Sequence, residues 1–203
     1  MSDRRLRSSP RRQRFAGTDE RSRRRAQERL RRRYCPETVT ALFVGESPPA
    51  SGRFFYQQDS GLYRAVFAAF QSVDPSIDGV SFLSVFGGAG CYLVDLCADP
   101  VDRLDNASRR AACVAGEVSL AVTISRLKPR TIISVVRSIE ENVSRAASRA
   151  CWSGEFLRLP YPGRWTRARA AFCDGLAPSV HALLMQDRSS RNTAVAVARS
   201  CRP

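Results

Sequence analysis

Glu46 stands as an isolated carboxylate between an uncharged run at 39–44 and a stiff loop of Ser47, Pro48 and Pro49. A carboxylate held in such a place can steady a developing positive charge or orient a water. Shortly after it, Gly52 and Arg53 precede three consecutive rings, Phe54, Phe55 and Tyr56. An aromatic face stacks on a nucleobase for roughly 1–3 kcal/mol. Asp95 interrupts a second apolar run, YLVDLC at 92–97. A buried carboxylate is costly unless it is paired, hydrogen-bonded or protonated, so Asp95 is a second candidate for chemistry. Later in the chain Tyr161, Gly163, Arg164, Arg167 and Arg169 form a basic stretch stiffened by Pro160 and Pro162. Its guanidinium groups suit phosphate contacts and the stabilisation of negative charge.

The elements that must position these residues follow from pattern. The charge-free run at 39–44 predicts a strand buried on both faces, with Gly45 turning the chain and Glu46 held just beyond the strand's carboxyl end. Helical spacing follows from Gly61 to Phe70. Residues 81–86 read as a short strand or loop segment, broken by the glycines of 87–90. These glycines lack a following Lys-Ser/Thr and the spacing of a dinucleotide loop. A strand at 92–97, a helix at about 107–126, a β-branched strand at 131–136, a helix at 139–150, a strand at 156–159 and an amphipathic helix at 168–184 complete the order. Such alternation predicts an α/β three-layer sandwich with a central, mainly parallel four-stranded sheet, whose ligands bind outside the carboxyl ends of its strands.

Several motifs then coincide. Gly45-Glu46-Ser47-Pro48, followed by Gly52-Arg53-Phe54-Phe55 and Ser60-Gly61-Leu62, resembles the first motif of the uracil-DNA glycosylase superfamily, and Leu127-Lys128-Pro129 leading into Ile132-Ile133 resembles the middle of that fold. The resemblance covers about 39–184. It implies hydrolysis of the N-glycosidic bond of a flipped, damaged or deaminated base such as uracil, with DNA as partner. Glu46 and Asp95 would be catalytic. Gly45, Ser47, Pro48, Phe54, Phe55, Tyr56 and Tyr161 would hold the base. Arg53, Gly163, Arg164, Arg167 and Arg169 would hold the DNA. Asp95 lies where many relatives place an asparagine, and an ionised aspartate accepts hydrogen bonds only, which suits an amino group better than a carbonyl. The superfamily's second motif begins with a histidine, and Leu159 occupies that place. The alternative is therefore a catalytically inactive relative that binds nucleic acid or a nucleotide. The iron–sulfur branch uses an early C-x-x-C and two later cysteines. Cys97 and Cys113 match the later pair, but only Cys35 precedes the first motif, so no cluster or other metal is expected.

The formal net charge of +14 over 203 residues is concentrated at one end: the first 33 residues hold fourteen arginines against four acidic residues. With so few apolar residues, this segment predicts a disordered arginine-rich tail at 1–36, able to contact DNA phosphates, ahead of one domain at 37–187 and a second tail at 188–203. Seven cysteines without a C-x-x-C pair, and no secretory or membrane-spanning stretch, predict reduced thiols in a cytoplasmic protein. The sequence leaves the oligomeric state open.

Overall fold

The computed structural model describes residues 10–163 and 165–200, with side chains over 21–163 and 165–189. Four parallel strands, β1 (Ala41–Gly45), β2 (Cys91–Asp95), β3 (Thr131–Ser134) and β4 (Glu155–Arg158), lie in the order β2-β1-β3-β4. Ala41 stands opposite both Cys91 and Thr131, and Thr131 stands opposite Glu155. The central strand β1 is buried at every position, as its lack of charge requires. The chain leaves β1 towards β2 and leaves β3 towards β4. The connections therefore part between β1 and β3, where a crevice opens at the carboxyl ends.

Helices α2 (Gly61–Val73) and α6 (Thr166–Ser200) pack together, as do α4 (Asn106–Leu127) and α5 (Glu140–Arg149). Side chains alternate along β1. Phe43 meets Phe86 on one face, whereas Glu46, just past the strand, meets Arg109 of α4 on the other. An all-parallel four-stranded sheet flanked by helices is thus present, consistent with the three-layer sandwich expected. Helix α4 approaches the end of β2 closely at Gly116, where an added Cβ would fall 2.3 Å from the Leu96 carbonyl oxygen. It is tied to α5 by Glu117, only 1% exposed, which accepts from Asn142 Nδ2 and Arg145 Nε, each at 2.8 Å.

Three expectations change. Of residues 81–86, Ser81 is the residue that precedes helix α3 (Phe82–Gly88) and 82–86 lie within it, not in a strand or loop. Phe82 and Phe86, one turn apart, both pack on Phe70, and Asp78 begins the helix by accepting from the Ser81 and Phe82 backbone N–H groups. Of the disordered tail expected at 1–36, the stretch Pro10–Arg33 is helix α1, and residues 1–9 lie outside the described residues. The low apolar content is offset by docking: Arg31 binds Asp95, Gln27 donates to the Gly52 carbonyl, Leu30 packs on the core, and Glu28 pairs with Arg32 one turn away. The C-terminal segment likewise continues α6 to Ser200, and Arg188 within it pairs with Asp74 of the α2 cap at 2.6 Å.

Helix α1 runs along the outer edge of β2. Between them sits Tyr56, whose hydroxyl accepts from the Leu93 N–H at 2.8 Å and donates to the Leu93 carbonyl at 3.1 Å. Tyr34, just past α1, stacks on the Tyr56 ring with centroids 5.5 Å apart.

Candidate functional site

Glu46 lies at the β1/β3 crevice, where the sequence put it, but its carboxylate is occupied. Arg109 holds it by both oxygens, Nε to Oε1 at 2.6 Å and Nη2 to Oε2 at 2.5 Å. This is the fork geometry in which a guanidinium and a carboxylate bind most strongly. The hydrogen bonds and charge of Glu46 raise the Arg109 pKa despite some burial. The start of α4 fixes Arg109 in place: Asp105 caps the helix by accepting from the Ala107 and Ser108 N–H groups. Cys113, one turn further on, brings its Sγ to 3.9 Å from Glu46 Oε1 and 3.8 Å from Cys97 Sγ. A cleft of about 370 Å³ opens here, lined by Glu46, Asn106, Arg109, Arg110, Ser138 and Arg145 among others.

Asp95 is not part of this cleft. Gly45 is opposite it in register, and an added Cβ at Gly45 would lie 2.8 Å from Asp95 Oδ1. The glycine therefore makes room for the carboxylate; the turn it was expected to supply is not its main role. Asp95 is paired with Arg31 Nη2 of α1 at 2.8 Å, with its side chain 9% exposed. Burial pushes its carboxyl above the usual range, and the Arg31 charge pulls the other way. The same guanidinium lies 5.4 Å from the centroid of Phe54. The expectation that Asp95 reads the edge of a base is thus met by a different occupant, an arginine of the chain itself.

The aromatic cluster is corrected as well. Phe54, Phe55 and Tyr56 are 2–3% exposed. Phe55 packs against Tyr56, Tyr63 and Phe86, and Tyr56 is spent on the sheet edge, so neither presents a face on which a base could stack. Arg53 beside them is exposed. Ser47 Oγ accepts from the Val101 N–H at 3.3 Å, and Pro48 lines a separate cavity between α1 and α4. These two order the loops and do not reach the Glu46 carboxylate by any hydrogen bond the structure gives.

Leu159, where the resemblance led to the expectation of a histidine, is 2% exposed and packs towards Gly175 of α6. Beyond it the loop turns outward. Tyr161 is half exposed, and Arg167 and Arg169 are exposed. Gly163 takes a left-handed φ of +49° and its carbonyl accepts from Arg169 Nε. Arg164 lies outside the described residues. Trp165, 79% exposed, joins this basic surface, although no sequence motif singled it out.

Arg109 also escaped the sequence pattern, and Arg31, expected with the other arginines of its segment on phosphate, is on Asp95 instead. Arg109 and Arg110 stand close to the N-terminus of α4, where the helix dipole disfavours cations, and that misplacement was the one local signal available. Among the described residues, no group of three or more His, Cys, Asp or Glu side chains is placed to hold a metal ion, and no helix is long and apolar enough to cross a membrane. Neither a protein-family model nor a curated protein matches the chain.

Proposed function

We propose that the chain is a nucleic-acid-binding relative of the uracil-DNA glycosylase superfamily whose crevice grips phosphate without cleaving a base from its sugar. The observation that carries this reading is the Glu46–Arg109 clamp. Base excision leaves positive charge on the sugar, and a carboxylate with a guanidinium on both oxygens has little negative charge to offer it. Around the clamp the cleft is lined by Arg109, Arg110 and Arg145 against Glu46 and Glu141, with Asn106 and Ser138 as further donors. Arg109 is held by Glu46 and Arg145 by Glu117 and Glu141, which leaves Arg110 as the guanidinium without a carboxylate partner among the described residues. Such a lining favours an anion. The exposed Trp165, Tyr161, Arg167 and Arg169 add a surface of the type that binds single strands, aromatic faces alternating with guanidinium groups.

The test uses labelled single- and double-stranded DNA carrying uracil, hypoxanthine or xanthine. Salt-sensitive binding, weakened by Arg109→Ala and Arg110→Ala, with no alkali-labile sites, is the expected result. A second reading, base excision, is favoured by the position of Glu46 at the β1/β3 crevice. Alkali-labile sites that form with the wild type and vanish with Glu46→Ala would establish that reading and overturn the first.

A further inference from the structure

Cys97 and Cys113 come from different elements, the segment after β2 and the second turn of α4, yet their sulfurs are 3.8 Å apart. Cys35, Cys91 and Cys173 instead direct their thiols at backbone carbonyls. We propose that Cys97 and Cys113 form a reversible disulfide, so that this dithiol is an oxidation site that staples the end of β2 to the turn of α4 following Arg109.

Three observations support it. The gap is about 1.8 Å longer than a disulfide bond of ~2.05 Å, a distance that side-chain rotation closes. Although each residue is 5% exposed, the two thiols are reached from separate sides: Cys113 lines the Glu46 cleft, and Cys97 lines a cavity of about 640 Å³ between α1 and α4. A small oxidant therefore needs no global unfolding to arrive. Finally, Cys97 donates its backbone N–H to the Glu46 carbonyl at 2.8 Å, which anchors its backbone while the sulfur moves.

Hydrogen peroxide is the oxidant proposed. Burial lifts both thiols, Cys97 to about 12; on Cys113 the hydrogen bond from Cys97 and the Arg109 charge pull down, the Glu46 carboxylate pushes up, and the thiol stays raised. Cys113, which lines the cleft beside the Arg109 guanidinium, is assigned as the thiol that reacts first. Its thiolate takes one oxygen from the peroxide, giving a sulfenic acid and hydroxide. The Cys97 thiolate then attacks that sulfur, the S–S bond forms, and a second hydroxide leaves. With the two protons the thiols have lost, one peroxide is reduced to two waters and two thiols are oxidised to one disulfide.

The experiment takes the full chain with exposed Cys35 and Cys151, and also Cys201, changed to serine, which limits bridges between molecules. Reduced protein is treated with peroxide, quenched with an alkylating reagent in denaturant, and digested with trypsin, which cuts at Arg103, Arg109 and Arg110 between the two cysteines. The expected result is a linked pair of peptides, abolished by dithiothreitol and absent from Cys97→Ser, together with a Tm several degrees above that of the reduced protein. Cys97 and Cys113 recovered fully alkylated after peroxide treatment would overturn the proposal. So would a linked peptide accompanied by a fall in Tm, because the bridge would then need a distorted fold.

Discussion

Leu159 shows how one side chain separates a motif from its chemistry. A histidine there, as the proposed relationship to the superfamily would require, would place an imidazole in a core that leaves 2% of the residue exposed, against Gly175. Leu159→His is expected to cost roughly 2–4 kcal/mol in urea unfolding and to confer no base excision. Glu117 carries the opposite lesson, a charge retained inside. Burial raises its pKa, but hydrogen bonds from Arg145 and Asn142 and the charges of Arg145 and Arg149 outweigh burial and leave it lowered. A carboxyl lowered on folding contributes stability that is present above its ordinary value of 4.5 and lost as pH falls through the lowered one. Urea midpoints at pH 7 and pH 3.5 should therefore show a larger acid loss in wild type than in Glu117→Gln. Equal losses would remove Glu117 from the acid response. At this scale the sequence was legible only in part. Glu46 and its place beyond a strand were readable because an uncharged run ending in Gly-Glu is a local signal. Its partner was not, because Arg109 lies 63 positions away and nothing periodic links the two.

The strands and most helices were legible because apolar runs and turn residues act locally, whereas α1 was misjudged because its stability comes from elsewhere in the chain. Apolar residues within the segment are too few to order it alone. What holds the helix is outside it: Asp95 64 positions on, the Phe54 ring, the Gly52 carbonyl and Asp99, which pairs with Arg24. Arg31→Met keeps most of the side chain's apolar stem but removes the ion pair, and is expected to destabilise by about 1.5–3 kcal/mol, the usual value for a hydrogen bond to a charged group. Circular dichroism during urea unfolding measures both the destabilisation and the helix content. An unchanged midpoint would mean that α1 contributes nothing to the stability of the domain. The same ion pair accounts for the displaced pocket, since a guanidinium from α1 now fills the space beside Asp95.

Across the whole molecule, charge is unequally committed. Arg24 and Arg31 of α1 are paired with Asp99 and Asp95 and Arg32 with Glu28, while Arg21, Arg25, Arg29 and Arg33 remain exposed. If these exposed groups meet phosphate, as the arginine-rich sequence predicts, the logarithm of DNA affinity should fall with the logarithm of salt. Changing Arg21, Arg25 and Arg29 to glutamine should then flatten the slope by ~0.9 for each phosphate no longer neutralised. A slope unmoved by all three changes would assign binding to the crevice and the Trp165 surface alone. The Tyr56 hydroxyl has a different reach. At the border of β2 it offers one donor and one acceptor to one residue, which is what a neighbouring strand would offer there. A fifth strand could join on that side only by expelling a phenol and lifting an entire helix. The width of the sheet is therefore set by a side chain, and the protein is guarded on that flank against recruiting another chain into its own hydrogen-bond ladder.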